Sequence, residues 1–144
     1  MRVVVQRVSS AAVHVDGEEV GAIGRGLLVL LGVAQGDDDA QVQWLADKLL
    51  HLRIFPDEKK AMNASVLDIQ GEMLVVSQFT LVAQVEKGRR PGFSNAADPI
   101  DAEALYNSFV AAVSPHLSVA TGRFGADMQV TLTNDGPVTF VLER

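Results

Sequence analysis

The sequence predicts a single α+β domain in which a largely antiparallel, barrel-like β-sheet is covered by two helices. Valine-rich segments with two-residue alternation occur in the first third and at the end of the chain, as is typical of strands. Two segments with apolar residues at helical spacing lie between them. The 144 residues contain no repeat and no linker, so we expect one domain, 1–144, with its own core.

The first third predicts strands. Segments 2–8 and 11–15 are rich in valine, and the alternation over 11–15 indicates one buried face. Asp16-Gly17 signals a tight turn before a short strand at 20–23. The run 27–34 is apolar on both faces, which favours a central strand covered on both sides.

The first helix is marked at both ends. The aspartates at 37–39 offer an N-cap, and the helix should end before Pro56 because the residue before a proline avoids helical geometry. Only one of the neighbours Trp44 and Leu45 can face the core, since adjacent positions point apart. We expect His51 to be partly solvated, at the surface or at the boundary of the core.

The second helix should run from an N-cap at Asp98, with Pro99 as its first residue, to Pro115. Its predicted apolar stripe consists of Ala102, Leu105, Phe109 and Ala112. After it, alternation over 128–133 predicts a half-buried strand that resumes at 138. Asp135-Gly136 between the two runs predicts a hairpin turn, and the default for the Gly136-Pro137 bond is trans.

Composition and charge exclude several classes of protein. The absence of cysteine removes disulfides, thiol nucleophiles and thiolate metal ligands, and it fits a reducing cytosol. The three histidines lack the spacing of a zinc enzyme. No apolar run reaches the ~20 residues of a membrane helix, and the start lacks a signal peptide. The net charge of −6 leaves no bulk basic surface for nucleic acid.

Two segments stand out as possible sites of chemistry, 77–80 and the turn segment 134–139, although no catalytic triad, P-loop or paired-carboxylate motif occurs. The predicted strand 71–82 turns polar at Ser77, Gln78 and Thr80, which is typical either of a site or of a strand that leaves the core. The long loop 83–97 follows, and a loop of this length is usually functional or mobile. Three basic residues of this loop indicate either a solvated loop or a local contact with a polyanion. They are Lys87, Arg89 and Arg90.

Four motifs resemble those of the D-aminoacyl-tRNA deacylase family: SQFTL at 77–81, KGRRPGF at 87–93, GRFGADMQV at 122–130 and NDGPVT at 134–139. The opening MRVVVQRVSSAAVHVDG and the two helices also match. The resemblance implies a homodimeric, cytosolic hydrolase without metal or other cofactor. It would cleave the ester between a D-amino acid and the terminal adenosine of tRNA, and would also remove glycine, including glycine mischarged on alanine tRNA.

The resemblance also implies roles for particular residues. The implied catalytic residues are Ser77, Gln78, Phe79 and Thr80. The implied substrate and chirality residues are Gly136, Pro137, Met128 and Asn134, and the Gly136-Pro137 bond would be cis and would reach the partner's pocket. The implied tRNA-binding residues are Lys87, Arg89, Arg90 and Phe93.

Several alternatives stay open on the sequence alone. Phe93 and Phe124 either stack on the terminal adenine or belong to the core, and Met128 either lines the pocket or is a core methionine. The backbone amides of Phe79 and Thr80 are candidates for an oxyanion hole, whereas the Thr80 hydroxyl as nucleophile lacks an adjacent base. The competing functions are an editing domain of different chirality and a noncatalytic domain that binds RNA ends or small molecules.

Overall fold

The computed structural model describes residues 1–144 as six strands and two α-helices. The strands are β1 Arg2–Val15, β2 Glu18–Ile23, β3 Gly26–Gly32, β4 Glu72–Ser77, β5 Val119–Thr121 and β6 Gln129–Glu143. The helices are α1 Asp39–His51 and α2 Pro99–Val113, and a 3-10 turn, Phe79–Val82, follows β4. The predicted single α+β domain with two helices is confirmed.

One mixed sheet forms a nearly closed barrel. β1 pairs antiparallel with β2 and β3 along one edge and with β6 along the other. β4 pairs parallel with β3 and β5, which the sequence pattern did not reveal. The sheet, with strand order β2-β1-β3-β4-β5, curls so that its end strands β2 and β5 approach each other. Their closeness is shown at Gly21 of β2, where a Cβ would lie 2.5 Å from the carbonyl oxygen of Thr121 in β5.

The strands separate two apolar cores. Alternate residues of a strand point to opposite sides of the sheet. Because successive residues of β3 and β4 are buried, both strands are covered on both faces, as expected for β3. On the helix side, Leu27, Val29 and Val75 pack in one cluster with α1 and α2. Inside the barrel, Leu28 and Leu74 pack with residues of β1 and β2.

β1 is one strand of 14 residues, whereas the sequence predicted two shorter ones. Its pairing register with β6 shifts between Gln6 and Ser10, so the irregularity between the valine-rich runs is a bulge and not a break. The predicted turn that follows is confirmed. Asp16 and Gly17 have φ values of 51° and 79°, the left-handed geometry that Asp-Gly hairpin turns require.

The start of α1 is confirmed as predicted. Asp38 is the N-cap, and a capping box joins it to Gln41. Leu45 is fully buried and Trp44 is 37% exposed, so one of the two neighbours faces the core, and His51 is exposed.

The predicted apolar stripe of α2 is wrong in part. The helix begins at Pro99 after Asp98 as expected, but its buried residues are Ala102, Tyr106, Phe109 and Val113. Leu105 and Ala112 are only half-buried. Compared with the predicted face, the buried face is rotated toward Tyr106. Burial of Tyr106 is compatible with its polar hydroxyl because that hydroxyl donates to the carbonyl oxygen of Val75 at 2.8 Å.

The predicted hairpin at Asp135-Gly136 is also wrong. β6 continues through these residues, since it pairs with β1 on both sides of them, Thr133 opposite Ser10 and Thr139 opposite Gln6. Gly136 does not adopt the positive φ that such a turn needs. The extra residues form a bulge, 134–138, in a strand that lies along the outer edge of the sheet.

Candidate active site

A cleft of about 480 Å³ opens at the carboxyl end of β4. Its lining comes from four parts of the chain: Val33 after β3, the end of β4 with the turn after it, residues 96–102 at the start of α2, and residues 124–130 at the start of β6. The cleft brings together four of the predicted site residues, Ser77, Gln78, Phe79 and Met128. Most of the lining is apolar, which suits an organic group oriented by a few polar atoms.

The backbone turns sharply at the mouth of this cleft. The sequence predicted a strand over 71–82, but β4 ends at Ser77 and the chain enters the 3-10 turn. The N–H of Gln78 donates to the carbonyl oxygen of Leu31 at 2.8 Å, and a Cβ on Gly32 would lie 2.9 Å from the Gln78 oxygen. Gly32 therefore permits the close approach that turns the chain.

The turn presents backbone donors at the cleft. Phe79 and Thr80 are exposed and open the 3-10 turn, where the first N–H groups have no partner within the turn. Thr80 lies just outside the residues that line the cleft. Its hydroxyl oxygen accepts a hydrogen bond of 2.6 Å from the side-chain amide of Gln78. An amide is not a base, so this contact does not activate the hydroxyl as a nucleophile.

The predicted tRNA-binding loop reaches the same mouth. Residues 84–92 form a short hairpin, here called the basic hairpin, which Gln84 and Gly92 close by two backbone hydrogen bonds of 2.8 and 2.9 Å. The ring of Phe93 lies 5.1 Å from that of Phe79, and both are largely exposed at 41% and 54%. The basic hairpin is therefore docked beside the cleft, and its exposed cations are Lys87, Arg89 and Arg90. None of the three forms an ion pair within the chain.

The floor of the cleft is held by buried polar contacts. The carbonyl oxygen of Val75 accepts hydrogen bonds from the Tyr106 hydroxyl and from the N–H of Gly122. Burial raises the pKa of Tyr106 to about 12, so this hydroxyl stays protonated as a donor. Phe124 packs on Tyr106 with ring centroids 6.0 Å apart and also lines the cleft. Half-buried Met128 lies against Gly122, so it both lines the cleft and packs beneath it.

The remaining predicted residues lie elsewhere in the chain. Gly136 and Pro137 are exposed on the bulge of β6, their peptide bond is cis, and neither lines the cleft. Asn134 holds the bulge together: its side-chain amide donates to the carbonyl oxygens of Arg7 and Val138 at 2.9 and 3.0 Å. The structure therefore does not bring these three residues to the cleft of their own chain.

Sequence reasoning missed two charged residues. The Arg7 guanidinium, 11% exposed, donates to the carbonyl oxygens of Asp135 at 2.7 Å and Ile54 at 2.6 Å, so it fixes the bulge from below. The sequence signal that could have identified Arg7 is the position of a charged residue within a valine-rich predicted strand. Asp127 is the one charged side chain that lines the cleft. It falls within the motif at 122–130, where the charge alone gave no reason to single it out.

The fold and the site define a class of protein: a single-domain α+β barrel with an apolar cleft, backbone donors at its mouth and a basic hairpin beside it, suited to an organic group carried on a polyanion. Comparison with known proteins narrows this class. The family model described as D-Tyr-tRNA(Tyr) deacylase matches residues 4–143. A D-aminoacyl-tRNA deacylase of Pelobacter propionicus is 56% identical over all of both chains.

Two solved structures share the fold of this chain. A structure titled c-Myc DNA Unwinding Element Binding Protein has a TM-score of 0.94 and 44% identity, covering 100% of this chain and 99% of the other. A probable eukaryotic D-amino acid tRNA deacylase has the same fold, with a TM-score of 0.82 at 21% identity over 98% and 97% of the two chains. The chain belongs to the D-Tyr-tRNA(Tyr) deacylase family. It is thus a hydrolase that acts on D-aminoacyl-tRNA.

Neither α-helix has the length and apolar run that a bilayer crossing needs.

Proposed function

We propose that the chain hydrolyses D-aminoacyl and glycyl esters of tRNA and spares L-aminoacyl esters, and that it does so in the cytoplasm as a homodimer. The observation that carries this proposal is the cleft at the end of β4. Beside it lie the backbone amides of Phe79 and Thr80, which have no partner within the 3-10 turn, and the exposed aromatic side chains of Phe79 and Phe93. Glycine mischarged on alanine tRNA would be a substrate for the same reason as other glycyl esters.

In the proposed reaction, water attacks the ester carbonyl carbon and the tetrahedral intermediate releases the ribose hydroxyl of the terminal adenosine. The amides of Phe79 and Thr80 stabilise the negative charge that develops on the carbonyl oxygen. The neighbouring ribose 2′-hydroxyl assists proton transfer. Among the residues that line the cleft, Ser77 and Gln78 are neutral, no histidine occurs, and Asp127 is the one carboxylate. Removal of one oxyanion-hole donor typically lowers kcat by ~10²–10³.

Chirality is proposed to depend on a wall of backbone formed by Gly136 and Pro137. The wall accepts the amino group and hydrogen of the α-carbon, and an L side chain would point into it. D side chains point outward and glycine has none, so both are accepted. Asn134 and Arg7 support this role because their hydrogen bonds fix the bulge that carries the two residues.

The proposed wall is contributed by the partner subunit. Gly136 and Pro137 lie beside Arg7 on β1 and do not line the cleft of their own chain. They are exposed on β6, the outer strand of the sheet, so they are available to a second copy. We therefore propose a homodimer in which the bulge of each subunit enters the partner's cleft and completes it.

The test is deacylation of D-Tyr-tRNA, L-Tyr-tRNA and Gly-tRNA by the purified chain in the presence of a chelator. Loss of the D-tyrosyl and glycyl esters, with the L ester spared, is the expected result. Hydrolysis of the L ester as well would keep the hydrolase and discard the Gly136-Pro137 wall. Hydrolysis of none would favour the noncatalytic RNA-end or small-molecule binding domain.

The wall itself is tested by Gly136→Ala. A Cβ at this position would lie 2.7 Å from the backbone nitrogen of Val138, closer than real Cβ contacts, so the bulge must shift. We expect the ratio of D to L turnover to fall about tenfold or more, since a small displacement of a positioning group is costly. Gly24→Ala is the matched control: Gly24 does not line the cleft, and a Cβ there would meet only a carboxylate oxygen of Glu72, at 3.7 Å. Its ratio of D to L turnover should match the parent's. Unchanged discrimination in Gly136→Ala counts against the wall.

A further inference from the structure

A second short hairpin lies at the base of the bulge that carries Gly136 and Pro137. Phe55 and Ala64 exchange two backbone hydrogen bonds of 2.9 Å and close the segment 55–64, here called the lysine hairpin. Between them lie the exposed residues Lys59 and Lys60. Neither lysine forms an ion pair within the chain, so both ammonium groups are free to meet an external anion.

The lysine hairpin is held in shape from within. The Asp57 carboxylate accepts hydrogen bonds from the Asn63 side chain and from the backbone N–H groups of Lys60 and Lys59, the latter two at 2.8 Å. These bonds hold the pKa of Asp57 below its usual value, with the Asn63 contact as the largest cause. Asp57 therefore stays ionised, and its charge and that of Glu58 offset those of the two lysines, so the hairpin as a whole carries no net charge. What the lysines offer an external anion is local contact through two unpaired ammonium groups.

A single side chain ties the lysine hairpin to the bulge. Arg7 donates from Nη1 to the carbonyl oxygen of Ile54, one residue before the hairpin, and from Nε to that of Asp135, one residue before Gly136. Ile54 and Phe55 also share a core cluster with Val138, one residue after Pro137. The bulge and the lysine hairpin are therefore held at fixed positions relative to each other, and a subunit that brings its bulge to a partner also brings its lysine hairpin.

We propose that Lys59 and Lys60 bind phosphates of the tRNA acceptor end at the cleft of the partner subunit. This inference rests on the proposed entry of the Gly136–Pro137 bulge into that cleft. Each cleft then lies between two hairpins from different subunits. One is the basic hairpin 84–92 of its own chain, docked through Phe93 on Phe79, and the other is the partner's lysine hairpin. With four residues in each arm, the lysine hairpin extends at most ~14 Å from its base, so it meets only phosphates close to the terminal nucleotide.

The two hairpins together offer cations to tRNA on a chain whose net charge is negative. The chain carries a net charge of −6, so a polyanion is repelled by most of its surface. Two local groups of unpaired cations on opposite sides of one cleft would give the acceptor strand a defined path. The phosphates follow that path while the ester enters the cleft between the hairpins.

The first test is the double substitution Lys59→Ala/Lys60→Ala, assayed on D-Tyr-tRNA. We expect KM to rise about three- to tenfold at low salt, as for the loss of two exposed charge contacts. The slope of log KM against log salt concentration should fall by ~1.4–1.8, because each phosphate contact contributes ~0.7–0.9. Lys48→Ala removes an exposed cation of α1 and is the matched control, for which KM and the slope should match the parent. A parental slope in the double variant overturns the inference.

The second test asks which subunit supplies the lysines. A cleft-silenced subunit, Ala126→Trp, is paired with an active one after its own homodimer is confirmed to be inactive. KM should rise when the silenced subunit carries Lys59→Ala/Lys60→Ala, and should not rise when the active subunit carries it. The reverse pattern, or no change in either dimer, overturns the assignment to the partner.

Failure of the proposed function is distinguished by a substrate without phosphates. The parent chain is assayed on D-tyrosyl-adenosine, the ester of the terminal nucleoside alone. Absence of turnover there counts against the proposed function. Turnover there, together with an unaltered KM on tRNA in the double variant, counts only against the role of the lysine hairpin.

Discussion

At the scale of single residues, Thr80 distinguishes backbone from side-chain catalysis. Its hydroxyl accepts a hydrogen bond from Gln78 and has no base beside it, whereas its amide opens the 3-10 turn. We expect Thr80→Ala to lower kcat by less than about tenfold, because the amide remains. Single-turnover deacylation of D-Tyr-tRNA measures this, with Thr80→Ser as the control that keeps the hydroxyl. A loss of ~10⁴-fold or more in Thr80→Ala alone, as for removal of a nucleophile, would restore the hydroxyl to that role.

Tyr106 gives a second prediction at this scale, based on pH. Burial raises the pKa of Tyr106 to about 12, above the ~10 expected in the unfolded chain. The folded state therefore holds the proton more tightly, and the resulting stability is fully present below pH ~10 and is lost as the pH rises toward ~12.

Because the chain has one tyrosine, phenolate absorbance reports Tyr106 alone. We expect the native chain to ionise near pH 12 and the urea-unfolded chain near ~10. Tyr106→Phe should abolish the signal and lower the free energy of unfolding by about 1 kcal/mol through the lost hydrogen bond to Val75. Ionisation of the native chain near pH ~10 would contradict the buried donor.

At the scale of elements, local signals predicted what local forces decide. The cap of α1 by Asp38 and the Asp16-Gly17 turn follow from residues a few positions apart, and both were predicted. Asp98 takes the predicted N-cap position of α2, although its side chain makes no capping hydrogen bond. The 3-10 turn was missed because Phe79–Val82 consists largely of strand-forming residues, and contacts with Leu31 and Gly32 determine its shape.

The bulge of β6 was missed for the same reason. Asp135-Gly136 is a strong local hairpin signal, but Arg7 binds the backbone of Asp135 from 128 positions away. At the site, the motifs supplied the residues of the cleft, 77–79 and Met128, while spacing alone gave no means of placing the Gly136–Pro137 bulge apart from them.

The bulge carries the next prediction. The Asn134 side chain donates to Arg7 and Val138, and Asn134→Asp keeps its size while it removes both donated hydrogen bonds. We expect discrimination between D and L esters to fall about tenfold or more as the bulge loosens. Parallel assays of D-Tyr-tRNA and L-Tyr-tRNA measure it, with Asn107→Asp on the exposed face of α2 as the control. A parental D to L ratio in Asn134→Asp would show that the bulge is held without this side chain.

The basic hairpin is an element with a separable role. Lys87, Arg89 and Arg90 are exposed and unpaired, and they lie beside the cleft rather than in it. We expect Lys87→Ala/Arg89→Ala/Arg90→Ala to raise KM on D-Tyr-tRNA more than it lowers kcat, because the contacts hold substrate and transition state alike. Steady-state kinetics over a range of salt concentrations measures both. A salt dependence identical to the parent's would remove the basic hairpin from the tRNA footprint.

At the scale of the whole molecule, the barrel separates the two halves of the proposed site. β4 ends at the cleft, whereas β6 presents the bulge along the other edge of β1, and the bulge does not line the cleft of its own chain. An open edge strand with exposed apolar residues is a template for pairing. β6 has both properties, since its backbone is unpaired on the outer side and Val141 is 63% exposed.

The dimer is therefore expected to form through β6 and to be required for chiral discrimination. Val141→Lys places a charge on the exposed edge, so the variant should sediment as a monomer of 15.4 kDa where the parent sediments at twice that mass. Because the monomer keeps its cleft and loses the partner's wall, its ratio of D to L turnover should fall toward one, and overall activity should fall as well. Val85→Lys, at a position 68% exposed on the basic hairpin, is the control for an added lysine and should remain dimeric. A Val141→Lys monomer that still spares L-Tyr-tRNA would place the chiral filter within a single subunit.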